Sequence, residues 1–461
     1  MVEYRKVEEF FERAGLKPRL QQLEAAERLS KLLDSSAVGF EAPTGFGKTL
    51  TTLAAIYLAD AFPVTWRVRT HEIAKRIAED CSLANLRFYI AAGREKLCML
   101  RREYGTNVHL FCKYLKHKCP FFRSTAVPHV FTYEDLRRSL RDGCPYYAQM
   151  LVDADVYIAP YKLGFRFNSN ITVIDEAHNV VEIESFSVTK LKDALKELGL
   201  EPHVPESFSP RMLFETLEPH LIERLERGKL ISNVFTRLQG EVGWVEGGQV
   251  YILKVLKPRM RAIYVSATLS PLAKVLNVPI VKVPSDKRPA YVTTWLNTKF
   301  EEYDIRMGEK YNGLLFLLRK YCPKILVFAT ERVAAFLNYN YSEEDDVEEW
   351  QGVYYVKSRG RRSEGVNLRA DCVVLAGVAF LPPYARVEKV GLSREDIAAI
   401  TAVQNIGRTI RSPNDNPLVI MADERFSKLK VLHEYFDMHE LNSLKELDEI
   451  LRQRQQNSNQ K

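Results

Sequence analysis

Short apolar runs alternate with helix-like runs from position 37 to position 87 of the chain. The apolar runs have the length of buried strands, and the longer runs between them repeat hydrophobic residues with helical spacing. Strands that alternate with helices favour a parallel sheet with helices on both faces. The pattern predicts strands at 38–41, 64–68 and 86–91, and helices at 48–60 and 71–81.

The same alternation resumes later and then occurs a second time. Strand patterns at 155–159 and 171–175 continue the first block, and a second block extends from 290 to 423. We therefore expect an α/β fold with two doubly wound parallel-sheet lobes, formed by residues 1–283 and 284–461. The second lobe is expected to end in a helix and a polar tail, and its predicted strands include 324–328, 353–356, 371–376 and 417–421.

Two segments of the first lobe break the alternation. Residues 94–147 crowd cysteines, basic residues and aromatic residues together, and residues 184–248 show helical periodicity at 191–198 and 213–230. We interpret both segments as insertions into the first lobe, and we expect the second insertion to be small and helical.

The composition is that of an ordinary globular protein with a mild positive charge. The chain has 461 residues, 46% hydrophobic and 27% charged, with a net charge of +7. This excess permits binding to a polyanion without proving it. The charged N-terminal residues do not resemble a signal peptide, and no apolar run is long enough to span a bilayer. We expect a cytoplasmic protein, nucleoid-associated in a prokaryote, whose seven cysteines do not form disulfides.

A glycine-rich loop with phosphate-binding spacing follows the first predicted strand. Residues 41–49 read Glu-Ala-Pro-Thr-Gly-Phe-Gly-Lys-Thr, with Ala42 where the usual pattern has its first glycine. Backbone N–H groups of such a loop cradle phosphates, its lysine reaches the β- and γ-phosphates, and its hydroxyl binds Mg²⁺. The alternative for this motif alone is a surface turn. The candidate ATP-binding residues are Pro43, Thr44, Gly45, Phe46, Gly47, Lys48 and Thr49.

Two adjacent carboxylates end a later buried-strand pattern. Asp175 can hold Mg²⁺ through water, and Glu176 can polarise the water that attacks the γ-phosphate. Asp-Glu-Ala-His on its own could be a solvated helix start. Because both motifs occur in order and each follows a predicted strand, we predict ATP hydrolysis with Lys48 and Glu176 as catalytic residues.

A helical pattern near the C-terminus carries one glutamine and two arginines of interest. Gln404, Arg408 and Arg411 lie in a pattern that begins at Arg394, and the arginines are expected on one helix face. Two guanidiniums on one face suit the charge of a triphosphate during γ-phosphoryl transfer. The alternative is a solvated basic face.

Two shorter runs gain meaning only beside these motifs. Gln22 precedes the phosphate loop, where its carboxamide can read the edge of an adenine. Ser266 and Thr268 follow a predicted strand, and their hydroxyls can link the Mg²⁺ site to a substrate surface by hydrogen bonds.

Four cysteines in the first insertion suggest a metal centre. Clustered thiols in an intracellular protein are more typical of metal binding than of disulfides. Zinc usually requires two cysteines about two to four residues apart, a pattern that this segment lacks. Widely spaced cysteines suit a four-iron–four-sulfur (4Fe–4S) cluster, so spacing alone slightly favours iron over zinc. The candidate ligands are Cys98, Cys112, Cys119 and Cys144.

Basic and aromatic side chains are interleaved in the same insertion. Single-stranded nucleic acid needs cations for its phosphates and aromatic rings for stacking. Arg94, Lys96 and Tyr114 are therefore candidate DNA contacts. In a second interpretation, compatible with the first, the aromatic residues pack around the metal centre.

Together these motifs resemble those of superfamily 2 helicases of the xeroderma pigmentosum group D (XPD) type, which include the DinG-like enzymes. The similarity covers most of the chain, about positions 18 to 426. Residues 93–98 and 143–147 resemble the pair that brackets the family's iron–sulfur domain. The other similar motifs are Q at 19–22, I at 42–49, Ia at 69–71, II at 175–178, III at 266–269, V at 364–366 and VI at 404–411.

The resemblance implies a fold, cofactors and binding residues. It implies two RecA-like lobes, with an iron–sulfur domain at 94–147 and a reduced arch domain at 184–248 inserted in the first lobe. ATP and Mg²⁺ are expected between the lobes and a 4Fe–4S cluster in the first insertion. Single-stranded DNA is expected to cross the lobes. The resemblance adds the DNA contacts Arg69, Thr70, Glu364 and Gly365.

The activity implied is a DNA-stimulated ATPase and 5′→3′ DNA helicase, acting in DNA repair or recombination as a monomer. The expected partners are single-stranded DNA and forked or tailed duplexes, and no membrane. The segment between motifs II and III is short, and Asn367 stands where the family usually has an acidic residue. A reduced arch keeps open an alternative: an ATP-gated module that binds or scans single-stranded DNA and hydrolyses ATP without unwinding.

Overall fold

The computed structural model of the chain describes residues 2–33, 37–123, 126–127, 129–140, 142–256, 261–299, 301, 304–345, 349–359, 368–382, 385–410 and 415–459. Its strands, in chain order, are β1 (Val38–Glu41), β2 (Val64–Val68), β3 (Phe88–Ile90), β4 (Val156–Pro160), β5 (Ile171–Ile174), β6 (Val181–Ser187), β7 (Ser207–Phe208), β8 (Val242–Glu246), β9 (Gln249–Val255), β10 (Ala262–Ser266), β11 (Ile280–Lys282), β12 (Arg288–Thr293), β13 (Lys324–Ala329), β14 (Tyr341–Ser342), β15 (Gly352–Lys357), β16 (Cys372–Ala376), β17 (Leu418–Ala422) and β18 (Phe436–Leu441).

Most α-helices follow strands, as the alternating pattern predicts. In chain order they are α1 (Val2–Arg13), α2 (Leu20–Leu33), α3 (Lys48–Leu58), α4 (His71–Leu83), α5 (Arg94–Leu97), α6 (Arg101–Tyr104), α7 (Val108–Tyr114), α8 (Tyr133–Ser139), α9 (Pro145–Ala148), α10 (Val188–Glu197), α11 (Pro210–Glu226), α12 (Val234–Arg237), α13 (Ala273–Leu276), α14 (Ile305–Leu318), α15 (Glu331–Ala334), α16 (Arg394–Gly407) and α17 (Leu444–Asn459). None of the described helices is both long and apolar enough to cross a membrane.

Two seven-stranded sheets confirm the predicted α/β fold of two lobes. The first has the order β11–β1–β10–β5–β2–β4–β3, and the second has the order β14–β15–β13–β16–β17–β12–β18. The pairs β2–β4, β2–β5, β3–β4 and β5–β10 are parallel, as are all six pairs of the second sheet.

The central strands of the second sheet are buried on both faces. In β13, Ile325 and Val327 belong to a core that includes side chains of α14 and α17. Leu326 and Phe328 belong to a separate core that includes side chains of α16. Because successive side chains of a strand point to opposite faces, helices cover both sides of this sheet, and the strand reads as one apolar run.

A third sheet changes the expected character of the second insertion. Strands β6, β7, β8 and β9 form a four-stranded sheet in the order β6–β9–β8–β7, with antiparallel pairing throughout. The predicted helical periodicity is confirmed by α10 and α11, but the expectation of a purely helical insertion is wrong. The first strand, Val181–Ser187, reads Val-Glu-Ile-Glu-Ser-Phe-Ser, an alternation that marks a half-buried strand.

The chain forms two compact units. The first comprises Met1–Phe40, Thr49–Ser266 and Pro383–Arg386. The second comprises Glu41–Lys48, Ala267–Pro382 and Val387–Lys461. The phosphate loop therefore belongs to the same unit as α16.

Candidate functional site

The loop after β1 has the geometry of an anion-binding turn. Gly45 and Gly47 have φ angles of +79° and +85°, a conformation that favours glycine. Lys48 begins α3, and its ammonium donates to the carbonyl oxygens of Ala42 and Pro43 at 3.1 and 3.2 Å. The lysine thus lies against the loop at a helix N-terminus, where backbone N–H groups favour an anion.

The hydroxyl of Thr49, predicted to bind Mg²⁺, has a partner on α4. Thr49 hydrogen-bonds the carboxyl group of Asp80. Burial raises the pKa of Asp80, and the bond from Thr49 opposes that shift. Asp80 escapes sequence reasoning because its position in a predicted amphipathic helix does not distinguish it from a solvated carboxylate.

Asp175 and Glu176 form a turn held by backbone hydrogen bonds. Glu176 has a φ of +46°, a left-handed conformation that is uncommon outside glycine. Its N–H donates to Asp175 Oδ1 at 2.8 Å, and the Tyr161 hydroxyl donates to its carbonyl at 3.2 Å. The Asp175 N–H donates to the Arg67 carbonyl at 3.0 Å. The turn holds both carboxylates just beyond the C-terminal end of β5, where ligands of α/β sheets bind.

The two hydroxyls around Ala267 contact residues of two predicted motifs. His178 Nδ1 and Ser266 Oγ are hydrogen-bonded at 3.0 Å within the first unit. Gln404 Nε2 donates to Thr268 Oγ1 at 2.8 Å within the second unit. Of the two hydroxyls, Ser266 is therefore hydrogen-bonded to the histidine of the Asp-Glu-Ala-His motif. Thr268 is hydrogen-bonded to Gln404.

Helix α16 ends beside the phosphate loop. A capping box of Ser393 and Asp396 starts the helix, which ends at Gly407. A Cβ atom at Gly407 would lie 3.0 Å from Thr44 Oγ1, so the two residues pack closely. Arg408 follows as the buried C-cap residue.

The argument for a shared arginine face is wrong as predicted. Because the helix ends at Gly407, Arg408 occupies the cap position instead of a helical turn that continues to Arg411. Arg411 lies outside the described residues, as do Glu364 and Gly365 of the predicted DNA contacts. A proline at 413 disfavours a helical conformation for the residue before it, a signal that the sequence contains.

Two other predicted site residues serve as helix-end partners. Gln22 is buried, and its carboxamide oxygen accepts the N–H of Arg19 at 2.8 Å at the start of α2. Thr70 is the N-cap of α4 and accepts the N–H of Ile73 at 3.4 Å. Arg69, in contrast, has an exposed side chain.

Two predicted DNA contacts of the first insertion are engaged within the protein. Arg94 packs over the ring of Tyr146, with its guanidinium carbon 4.5 Å from the ring centre. Lys113 Nζ lies 2.6 Å from the Tyr114 hydroxyl and 3.1 Å from the Glu218 carboxylate. Lys96 is exposed and lies 5.1 Å from the Tyr133 ring centre. For Arg94 and Tyr114, these contacts support the interpretation that the side chains pack around the cysteine segment.

The four cysteines of the first insertion come near one another. Burial, together with the nearby thiols of Cys144, Cys112 and Cys119, raises the pKa of Cys98 to about 11. The backbone N–H of Leu100 opposes this shift by a hydrogen bond to Cys98. Burial also raises the pKa of Cys144. The backbone N–H groups of Tyr147 and Tyr146 oppose that rise by hydrogen bonds to the thiol.

The four thiols can be compared with the ligand sets of metal centres. In the described part of the chain, no three His, Cys, Asp or Glu side chains are arranged to hold a metal ion. A 4Fe–4S cluster spreads its cysteine ligands, since irons and sulfides lie between them, and backbone N–H groups stabilise such sulfurs. Four free thiols, two of which, Cys98 and Cys144, have backbone N–H partners, are a donor set with the chemistry of cluster ligands.

The cysteine segment shares a hydrophobic core with the second insertion. Leu110, Phe111 and Leu115 are buried among apolar side chains of α10, α11, α12 and β9. Asn107 Oδ1 accepts the Ile231 N–H at 2.9 Å. Lys118 and Glu226 form an ion pair at 3.0 Å. The two insertions, separated in sequence by β4 and β5, are thus one packed body.

Comparison with known proteins shows that the chain is similar to helicases. Residues 329–438 match the model of the helicase C-terminal domain. The chain is 23% identical over 521 residues to the ATP-dependent DNA helicase XPD of Sulfolobus acidocaldarius, with 86% of this chain and 94% of that protein covered.

Solved structures of XPD have the same fold. An XPD helicase gives a TM-score of 0.65 at 20% identity, with 92% of this chain and 100% of that chain covered. The structure of Xpd4 from S. tokodaii gives a TM-score of 0.59 at 15% identity, with the same coverage. With the domain match and the sequence relative, these similarities confirm the resemblance read from the motifs.

Proposed function

We propose that this chain, an XPD-like superfamily 2 helicase, is a DNA-stimulated ATPase that translocates 5′→3′ on single-stranded DNA and unwinds duplexes during DNA repair or recombination. The observation that carries the proposal is the packing of Gly407 against Thr44. It supports a role for Arg408, the next residue, at the loop whose backbone and lysine suit phosphates. We assign the RecA-like lobes to 1–283 and 284–461, and the iron–sulfur and arch domains to 94–147 and 184–248.

Each residue of the site has a role in γ-phosphoryl transfer. Lys48 neutralises charge on the β- and γ-phosphates, and Glu176 orients the attacking water. Thr49 and Asp175 would hold Mg²⁺, which supplies further positive charge to the phosphates. Gln404 orients the site through Thr268, and Arg408 stabilises the charge of the transferring group.

Arg408→Ala should lower the kcat of ATP hydrolysis by about 10–100-fold and change the KM for ATP less. The charge that a guanidinium stabilises peaks in the transition state, so its loss should affect turnover more than affinity. Steady-state ATPase kinetics with single-stranded DNA measure both constants. Arg394→Ala, at the other end of α16, is the matched control. An unchanged kcat for Arg408→Ala would show that Arg408 has no part in phosphoryl transfer.

We further propose that Cys98, Cys112, Cys119 and Cys144 ligate a 4Fe–4S cluster. The proximity of the four thiols and the backbone N–H partners of Cys98 and Cys144 support this assignment. When bound, the cluster supplies iron–thiolate bonds that tie four separate turns of the segment together. A metal bound only by the folded segment contributes its binding free energy to the stability of that segment.

Cys112→Ser should remove the cluster and loosen both insertions while the lobes stay folded. Anaerobically purified wild-type protein should be brown, with a broad absorbance near about 400 nm, and the variant should be pale. Limited proteolysis should cut the variant within 94–147 and within α10–α11, because these elements share one core. Cys81→Ala, a buried cysteine of α4, should keep the colour. A colourless anaerobic wild type with stoichiometric zinc would falsify the assignment.

The protein should displace a short duplex with a 5′ single-stranded tail and leave a 3′-tailed duplex intact. Binding should weaken steeply with salt, because lysine and arginine contacts release counterions from DNA. Fluorescent strand displacement measures the unwinding of the two duplexes, and DNA-stimulated ATPase at several salt concentrations reports the binding. Glu176→Gln is the inactive control. Equal displacement of both duplexes contradicts the polarity.

One observation keeps the second function open. Phe111 and Tyr114 are packed in the core shared with the second insertion, which leaves fewer aromatic rings to stack on bases at a fork. Strong DNA-stimulated ATPase with no displacement of either duplex would identify an ATP-gated module that binds or scans single-stranded DNA.

A further inference from the structure

Glu41, the last residue of β1, is a buried carboxylate surrounded by donors. Its side chain lies directly before the phosphate loop and is only 2% exposed. Oε2 accepts the N–H groups of Leu269 and Ser270 at 2.6 and 2.5 Å and the Ser270 hydroxyl at 2.9 Å. Oε1 forms an ion pair with Lys282 Nζ at 3.0 Å. A buried carboxylate persists only with such compensation.

These contacts compensate the negative charge of Glu41, which would otherwise repel a phosphate bound at the loop. An uncompensated carboxylate one residue before an anion-binding loop would repel a triphosphate. Three hydrogen bonds and one lysine on its own oxygens offset that repulsion. Glu41 therefore does not act as a metal ligand or as a base, and its contacts indicate an anchor.

The anchored segment carries part of the proposed catalytic site. Leu269 and Ser270 start a 3₁₀ turn directly after Thr268, whose hydroxyl accepts the carboxamide N–H of Gln404 at 2.8 Å. Glu41, this turn and Gln404 all belong to the second compact unit. The Glu41 carboxylate thus connects the start of the phosphate loop to the turn that follows Thr268, the hydrogen-bond partner of Gln404. Glu41 and Leu269 are 228 positions apart in the sequence.

We propose that Glu41 is a positioning residue for ATP hydrolysis: it holds the Leu269–Ser270 turn to the base of the phosphate loop and so sets Thr268 and Gln404 relative to Lys48. The inference rests on the proposed ATPase function. Lys48 and the loop N–H groups bind nucleotide in the ground state without the turn. Loss of the anchor therefore lowers kcat and leaves the KM for ATP nearly unchanged.

The test compares Glu41→Gln with Glu434→Gln in the full-length protein. The first variant keeps the shape but replaces an acceptor with an amide donor that faces other donors. The second removes the other carboxylate partner of Lys282, at 2.9 Å, without touching the turn. Glu41→Gln should lower kcat about tenfold, or about 1.4 kcal/mol in the barrier, with KM within about twofold. Glu434→Gln should match the wild type.

Two further measurements separate positioning from general destabilisation. The effects of Glu41→Gln and Gln404→Ala on kcat should be less than additive, because both act through Thr268. Hydrogen exchange of residues 267–276 should quicken in Glu41→Gln but not in Glu434→Gln. A folded Glu41→Gln with wild-type kcat, equal losses in both glutamate variants, or additive effects would overturn the proposal.

The exchange measurement needs no ATP turnover, so it distinguishes two failures. A wild type without ATPase activity refutes the proposed function, whereas unchanged exchange in Glu41→Gln refutes the anchor itself. If Glu41→Gln does not fold, Ser270→Ala removes the 2.9 Å hydroxyl contact with Glu41, together with the 3.3 Å contact of the same hydroxyl with Lys282 Nζ, and should lower kcat by about twofold. A wild-type kcat in that variant counts against the proposal.

Discussion

Replacing Glu176 by glutamine should lower the kcat of ATP hydrolysis by about 10³-fold and leave ATP binding intact. A positioned base contributes about 10²–10⁴-fold, and an amide cannot take a proton from the attacking water. The backbone of the turn should persist, because its bonds from Tyr161 and to Asp175 involve main-chain groups of Glu176. Single-turnover hydrolysis and equilibrium binding of a fluorescent ATP analogue measure the two effects separately.

The matched control for this variant is Glu182→Gln. Glu182 lies a few residues later on β6, where its carboxylate pairs with Lys162 at 3.0 Å, and it has no role in the proposed site. Its loss should leave hydrolysis at the wild-type rate. Wild-type turnover in Glu176→Gln with DNA present would show that another group activates the water.

Lys48→Ala should weaken ATP binding and reduce turnover by about 10²–10³-fold. Removing one preorganised donor from a developing charge has an effect of this size in other enzymes. The variant also takes a cation from the ground-state phosphates, so both KM and kcat should change. The folded loop should survive, because Gly45 and Gly47 keep their backbone conformation without the lysine.

Isothermal titration and steady-state kinetics of Lys48→Ala measure these losses. Lys31→Ala is the control, since Lys31 is an exposed lysine that pairs with Glu27 on α2. Equal melting temperatures of the two variants would assign the loss to the site. Wild-type affinity for ATP in Lys48→Ala would mean that the loop binds another anion.

Local sequence pattern predicts the parallel sheets well, because each buried strand is a short apolar run of its own. β1 and β10 are buried at every position, and the predicted strands at 38–41 and 64–68 match β1 and β2. The phosphate loop is equally local, since its geometry depends on glycines within a few residues of Lys48. Such features need no distant partner to be recognised.

Features that depend on distant partners escape the sequence. Glu41 looks like an ordinary strand end until Leu269 and Ser270 are brought to it. Tyr161 supports the turn of Glu176 from another strand end. Strand β6 alternates correctly, yet its antiparallel partner β9 lies more than sixty residues away in sequence. Pairing at such separation is a property of the fold and is not encoded by any short window.

The predicted DNA contacts also show that local sequence pattern does not reveal distant partners. Arg94 and Tyr114 have the right chemistry for nucleic acid, but Arg94 packs on the ring of Tyr146 and Tyr114 hydrogen-bonds Glu218. Arg69 and Lys96 have the same chemistry and are exposed. Composition identifies a basic and aromatic segment, whereas burial decides which of its members can meet a ligand.

The core that joins the two insertions orders events during synthesis. Leu110, Phe111 and Leu115 emerge from the ribosome long before Val250 and Ile252, which complete the same core. Until then the apolar face of α7 is uncovered, and Cys119, which packs against the same core, lacks part of its cover. A nascent chain that pauses before β9 therefore presents α7 without the core that buries it. Maturation of the cysteine segment is expected to wait for translation of a region more than one hundred residues downstream.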